Sequence, residues 1–202
     1  MPEVMVQTSP SPPGFLTEPW HNFGETFDDL VINGQPAPYP VVNERAVRST
    51  AGLMLIVATI GFSFAYFTQW YAPLKIITAL FFLDFSVRLA TGLTPLSPFG
   101  TLGTWLVRNQ RAEWTGATQK KFAWAIGAVI SLSMMIVTNM NIKGELPFTM
   151  CIICMILMWA ETALGICIGC KLYGWLIRRG VLTEPEYAPA CPGGACEVPQ
   201  PD

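Results

Sequence analysis

All six cysteines fall after residue 150, and four of them stand in two CxxC motifs. Cys151 and Cys154 form the first pair, Cys167 and Cys170 the second, and Cys191 and Cys196 follow near the C-terminus. A CxxC can depress a thiol pKa and make the thiolate available for disulfide exchange or persulfide transfer. Cytosolic thiols are normally reduced, so a cluster of them facing the cytosol points to redox or metal chemistry rather than to a structural disulfide. Three readings of the second pair stand open. In the first, Cys167 and Cys170 are a redox pair. In the second, Cys167, Cys170, Cys191 and Cys196 form C-x2-C-x20-C-x4-C, near but not on the usual zinc spacing, and bind zinc or an iron–sulfur cluster, which suit thiolate-only sites. In the third, Cys167 and Cys170 are small residues packing a helix interface beside Gly165 and Gly169. The first pair shares a helical face with Met155 and Met158, a soft sulfur stripe that suits Cu(I) with help from Met134, Met135 and Met140; plain packing is the alternative.

Three ionisable residues interrupt otherwise apolar stretches: Asp84, Arg88 and Glu161. A charge near mid-bilayer costs roughly 2.5–3.5 kcal/mol on insertion scales, so such residues pair or face a cavity. Asp84 and Arg88 are four apart with the acid first, the favourable order on one helical face. Counting rise along the helices puts Arg88 about 21 Å and Glu161 about 20 Å from the outer starts of their helices. The three are therefore expected to meet as one polar cluster: a proton or ion relay, a binding site for a polar substrate, or a buried ion cluster that fixes how helices 2 and 4 pack. The same count puts Cys170 about 33 Å along its helix, at the membrane edge, with Cys167 one turn further in.

The elements that position these residues are apolar helices. The chain is 51% hydrophobic and only 13% charged, about half the charge of an ordinary soluble domain. Apolar runs extend from Ala46 to about Tyr66, from Leu74 to Ala90, from Phe122 to about Met140, and from Pro147 onward with helical character as far as Arg179. Each reaches or approaches the roughly 20 residues that cross a bilayer. The fold class is all-α: a polytopic membrane protein with four transmembrane helices over residues 45–179. Arg45, Arg48, Arg108, Arg111, Lys120, Lys121, Lys171, Arg178 and Arg179 all fall on one side if both termini are cytoplasmic, against Lys75 and Lys143 on the other. Ser97–Arg108 has helical spacing of Phe99, Leu102 and Leu106, with Trp105 at the edge, as in an interfacial helix between helices 2 and 3.

Residues 1–44 carry eight prolines and no signal-peptide pattern, so the first apolar helix is expected to direct insertion. Phe15, Trp20, Phe23 and Phe27 make this tail a candidate partner-binding segment. Residues 180–202 form a second cytoplasmic tail holding Cys191 and Cys196. The single histidine, His21, excludes paired-histidine haem ligation within the chain, and a net charge of −2 gives no footing for nucleic acid. No phosphate loop, HExxH or Ser/His/Asp set stands out.

The segments VVNERAVR (41–48), DFSVRL (84–89), SP (97–98), KKFAWAIG (120–127) and ETALGICIGCKLY (161–173), in that order, resemble a mainly bacterial four-helix membrane family catalogued as a domain of unknown function. The resemblance covers roughly residues 41–179. It implies a bacterial inner membrane location. It also implies thiol or sulfur work with thioredoxin-like or sulfurtransferase-like partners, whose genes tend to lie beside those of family members. Two functions follow. One is a membrane thiol protein handling sulfur or redox equivalents at the cytoplasmic face, in which Cys167 and Cys170 act and Asp84, Arg88 and Glu161 organise the site. The other is a non-catalytic accessory subunit of a larger membrane complex, anchored by its N-terminal tail.

Overall fold

The computed structural model describes residues 31–32, 35–36, 41–94, 96–110 and 113–182. Two strands, β1 (Val31–Ile32) and β2 (Gln35–Pro36), pair antiparallel ahead of the helices. A second pair, β3 (Val41–Asn43) and β4 (Trp114–Gly116), clips the starts of the two longest helices together in the register Val42↔Thr115. These helices are α1 (Glu44–Thr68) and α4 (Ala117–Asn139). Asn43 caps α1 by accepting the Arg45 N–H at 3.1 Å. The Glu44 N–H donates to the Glu113 carbonyl at 2.7 Å, which ties the start of α1 still closer to the chain leading into α4.

A short loop turns α1 back into α2 (Ala72–Thr91), which packs chiefly on α4. The chain then enters α3 (Pro98–Leu106), as the Ser-Pro pair anticipates: Ser97 Oγ accepts the Gly100 N–H at 2.9 Å, and Pro98 occupies a first-turn position that needs no N–H. Helix α3 runs along α1 in the opposite direction. Its start lies near Met54, Gly103 meets Thr50, and Val107 joins Val42, Ala46 and Val47. Gly103 makes this approach feasible, since a Cβ there would fall 2.1 Å from Thr50 Oγ1 and 2.8 Å from its backbone nitrogen. Gly103→Val is therefore expected to push α3 off α1 and cost about 3 kcal/mol, read as a lowered unfolding midpoint in detergent.

The helical segment from Pro147 toward Arg179 is two helices. Helix α5 (Glu145–Leu164) stops at Gly165, and α6 (Ile168–Arg178) begins after Cys167. Gly165 adopts the left-handed conformation (φ 66°), and the Ile166 N–H returns to the Ala160 carbonyl at 3.0 Å, closing a helix-terminating turn. The guanidinium of Arg48 fills the space beside Gly165, 3.2 Å from where a Cβ would stand. Helix α5 packs on α1, and α6 on α4.

Among the described residues three helices, α1, α4 and α5, are long and apolar enough to cross a membrane. Helix α2 equals α5 in length but carries Lys75, Asp84 and Arg88. Many large apolar side chains point outward, among them Ile56, Phe67, Leu83, Ile136, Ile156 and Trp159. That is the surface of an integral membrane protein associated with a lipid bilayer.

Candidate functional site

The start of α1, the start of α4 and the end of α5 meet at one end of the bundle. There Lys120, on α4 and wholly buried, extends its ammonium between two carboxylates. Its Nζ lies 3.0 and 2.8 Å from the two oxygens of Glu44 on α1 and 2.9 Å from Glu161 on α5. Of the two Glu44 oxygens only Oε1 receives a bond of good geometry, and Oε2 is held by charge alone.

Cys167 and Cys170 lie beside this triad. Cys167 is the N-cap of α6, and its sulfur accepts the Cys170 backbone N–H at 3.3 Å. The first cysteine thus sits at a helix N-terminus, where exposed N–H groups and the helix dipole favour a thiolate. The hydrogen bond from the Cys170 thiol holds the Cys167 pKa below its ordinary value; the Lys120 charge helps, against burial and the Glu161 charge. Donating that bond, and then burial, push the Cys170 thiol up. One low and one high thiol is the arrangement of a nucleophile and its resolving partner. Both are buried, Cys170 at 1% exposure more deeply than Cys167 at 5%. The break at Gly165 turns α6 so that Cys170 faces α4.

Asp84 and Arg88 pair as their spacing anticipates, deep between α1, α2 and α3. Ser97 donates to Asp84 Oδ1 at 2.6 Å, the Phe99 N–H reaches the same oxygen at 2.9 Å, and Arg88 Nε donates to Ser97 Oγ at 3.2 Å. Arg88 Nη2 also lies 3.1 Å from Met54 Sδ. Glu161 makes no hydrogen bond to this pair; it stands within electrostatic reach of Arg88, and its ion-pair partner is Lys120. Helix α5 packs on α1 while α2 packs on α4, so the cation in contact with Glu161 comes from α4. Lys120 and Glu44 are site residues that the sequence pattern did not single out. Their signal is nonetheless present: Glu44 opens α1, Lys120 is in the first turn of α4 and Glu161 is in the last turn of α5, which hairpin connections bring to one end.

Cys151, in the outer pair, packs in an apolar cluster with Ala65, Tyr71, Leu74 and Met134. Among the described residues no group of three or more His, Cys, Asp or Glu is arranged to hold a metal ion. Cys191 and Cys196, needed for the zinc or iron–sulfur reading, lie outside the described residues, as do Phe15, Trp20, Phe23 and Phe27. Beside the triad opens a cleft of about 430 Å³ lined by Arg45, Arg48, Glu113 and Thr162, among others. Arg48 donates to the Thr162 carbonyl at 3.3 Å and so braces the end of α5.

The family model described as a domain of unknown function, DUF4395, matches residues 42–178. The chain belongs to this family. The match begins within β3 and ends at the last residue of α6, so the family unit contains the triad, the Asp84–Arg88 pair and both CxxC motifs. No curated protein and no solved structure is significantly similar to it.

Proposed function

We propose that the protein is a thiol–disulfide redox protein of the bacterial inner membrane, in which Cys167 and Cys170 react at the cytoplasmic face with a dithiol or disulfide of a thioredoxin-like partner. The observation that carries this reading is the position of Cys167 at the α6 N-cap, bonded to Cys170 and neighboured by the Lys120 ammonium. A fourth crossing by α2 is supported by its length and by the mutual neutralisation of Asp84 and Arg88. Cytoplasmic termini are supported by the bias of positive residues toward the triad's end. On α3 Gly103 faces Thr50 of α1 while Leu102, Trp105 and Leu106 face out; this favours a short helix leaning into the bilayer from the cytoplasmic side over one lying flat. Helix α6, with Ile168, Leu172 and Trp175 exposed and Lys171, Arg178 and Arg179 nearby, suits the headgroup interface.

The test uses variants retaining Cys167 or Cys170 as sole cysteine and a membrane-impermeant maleimide. In inverted vesicles Cys167 is expected to react faster than Cys170, and in intact cells neither is. Cys167 reactivity rests on its thiolate, present above the folded pKa and lost as pH falls through it. With Cys170 restored as hydrogen-bond donor, its half-maximal rate is therefore expected below the free-thiol value of about 8.5. In the chain with both cysteines, a mild oxidant should join them. Labelling from outside intact cells would reverse the orientation. Failure of the pair to form a disulfide would end the redox reading.

A further inference from the structure

The triad beside the thiols holds one acid more than its cation neutralises. Glu44 and Glu161 share the single ammonium of Lys120, and burying a surplus charge is costly. The two acids are not equivalent: the Glu44 side chain is sealed at 5% exposure, whereas Glu161 keeps 20%. The triad also adjoins the reacting sulfurs. Lys120 and Ala123 lie three apart on one face of α4. Gly169 packs against Ala123 so closely that a Cβ on it would stand 2.6 Å from the Ala123 Cβ. Helix α6 is thereby pressed onto that face with Cys170 next to the contact, and both thiols fall within electrostatic reach of Lys120 and Glu161.

We infer that Glu161, held by Lys120, accepts the proton that Cys170 must release when the pair is oxidised, and passes it to water at its exposed edge. The inference rests on the thiol reading above. With an external disulfide as oxidant, the Cys167 thiolate attacks one sulfur, forming a mixed disulfide and expelling the first thiolate. The Cys170 thiol then gives its proton to the Glu161 carboxylate. The resulting thiolate attacks the Cys167 sulfur, closing the Cys167–Cys170 disulfide and expelling the second thiolate. Two electrons pass from the cysteine pair to the external disulfide, and Glu161 returns its proton to water. Among the described residues, the charged and titratable groups near Glu161 include Lys120 from α4, Glu44 and Arg48 from α1, Arg88 from α2, and the two thiols. Lys120 stays paired with Glu44 while Glu161 is protonated, so the surplus negative charge passes from the carboxylate to the Cys170 sulfur and the buried total does not rise.

The two steps can be read apart. Purified, reduced protein in detergent, with Cys151, Cys154, Cys191 and Cys196 replaced by serine, is mixed with a small aromatic disulfide whose released thione is coloured. Wild-type residues at the site should release two thiones in sequence. Glu161→Gln leaves Lys120 and Glu44 as a neutral pair. It is expected to release the first thione within about threefold of the parent rate and the second about 100-fold more slowly at pH 7, the size of effect that a positioned base supplies. The pH midpoint of the second phase should also move up. Glu161→Asp keeps the carboxylate and should retain the parent midpoint with an intermediate rate; it carries the test if the glutamine variant does not fold. A second phase unchanged in rate and midpoint, or both phases slowed alike, overturns the inference while leaving the thiol reading intact. Release of no thione by the parent overturns the thiol reading itself.

Discussion

Replacing Lys120 by methionine is expected to destabilise the protein by about 3–4 kcal/mol, toward the lower part of the range for breaking a buried ion pair because Glu161 is not fully buried. Methionine fills most of the space of the lysine stem, so the loss comes from two carboxylates deprived of their cation rather than from a cavity. Reversible unfolding of the detergent-solubilised protein, followed by tryptophan fluorescence, measures it. Two companion results identify the cause. Lowering the pH should shrink the deficit, since protonation removes the uncompensated charge. Adding Glu44→Gln to Lys120→Met should recover about half of it, because the deeper acid is then neutral. If the double variant is no more stable than Lys120→Met alone, the lysine serves packing and the charge argument fails.

The reason such a group is hard to see from sequence lies in what a one-dimensional pattern encodes. Apolar runs mark the helices because every lipid-facing or core-facing position must be apolar; α1, α2 and α4 lie where the runs place them. The Ser97-Pro98 pair marks the start of α3 because a hydroxyl cap and a first-turn proline are local devices. Asp84 and Arg88 are legible as a pair because four residues make one helical turn. Rise along a helix also gives an expected depth, which puts Arg88 and Glu161 at one level. Depth does not say which helices are neighbours, and the partner of Glu161 is decided by the packing of α5 on α1 and by the β3–β4 clip that seats α4 beside α1.

Lys120 illustrates a second difficulty. As a lysine in a polar loop before an apolar run it reads as a topological charge. Only the clip, which starts α4 well before its first large apolar residue, Phe122, draws it inside. Gly165 poses a third. A glycine within an apolar run is tolerated in membrane helices, and no proline follows to announce a break. The turn is fixed by its left-handed backbone and by Arg48, a residue more than a hundred positions away. That break converts Cys167 from a mid-helix residue into a helix cap. The chemistry of the CxxC therefore depends on a tertiary contact, while its existence is plain in the sequence.

Arg88→Leu is expected to cost about 3–5 kcal/mol, the loss typical when one partner of a buried pair is removed. Both members are sealed from water, and Asp84 would keep only the Ser97 hydroxyl and the Phe99 N–H as donors. The network has two functions that further variants separate. One is charge balance between Asp84 and Arg88; the other is the anchoring of the α3 N-terminus, since the Asp84 carboxylate accepts from its first turn, where a negative group is favoured. Asp84→Asn combined with Arg88→Leu removes both charges but keeps an oxygen for Ser97 and Phe99, and should return to within about 2 kcal/mol of the parent. Asp84→Leu combined with Arg88→Leu removes the charges and the anchor together. It should recover less, because the Phe99 N–H and the Ser97 hydroxyl are left without their acceptor. The order expected in unfolding midpoints is parent, Asn/Leu, Leu/Leu, then Arg88→Leu alone. Equal midpoints for the two double variants would remove the anchoring role. A double variant no better than Arg88→Leu would show that the arginine's packing over Phe85, at 5.0 Å from the ring centre, outweighs its charge.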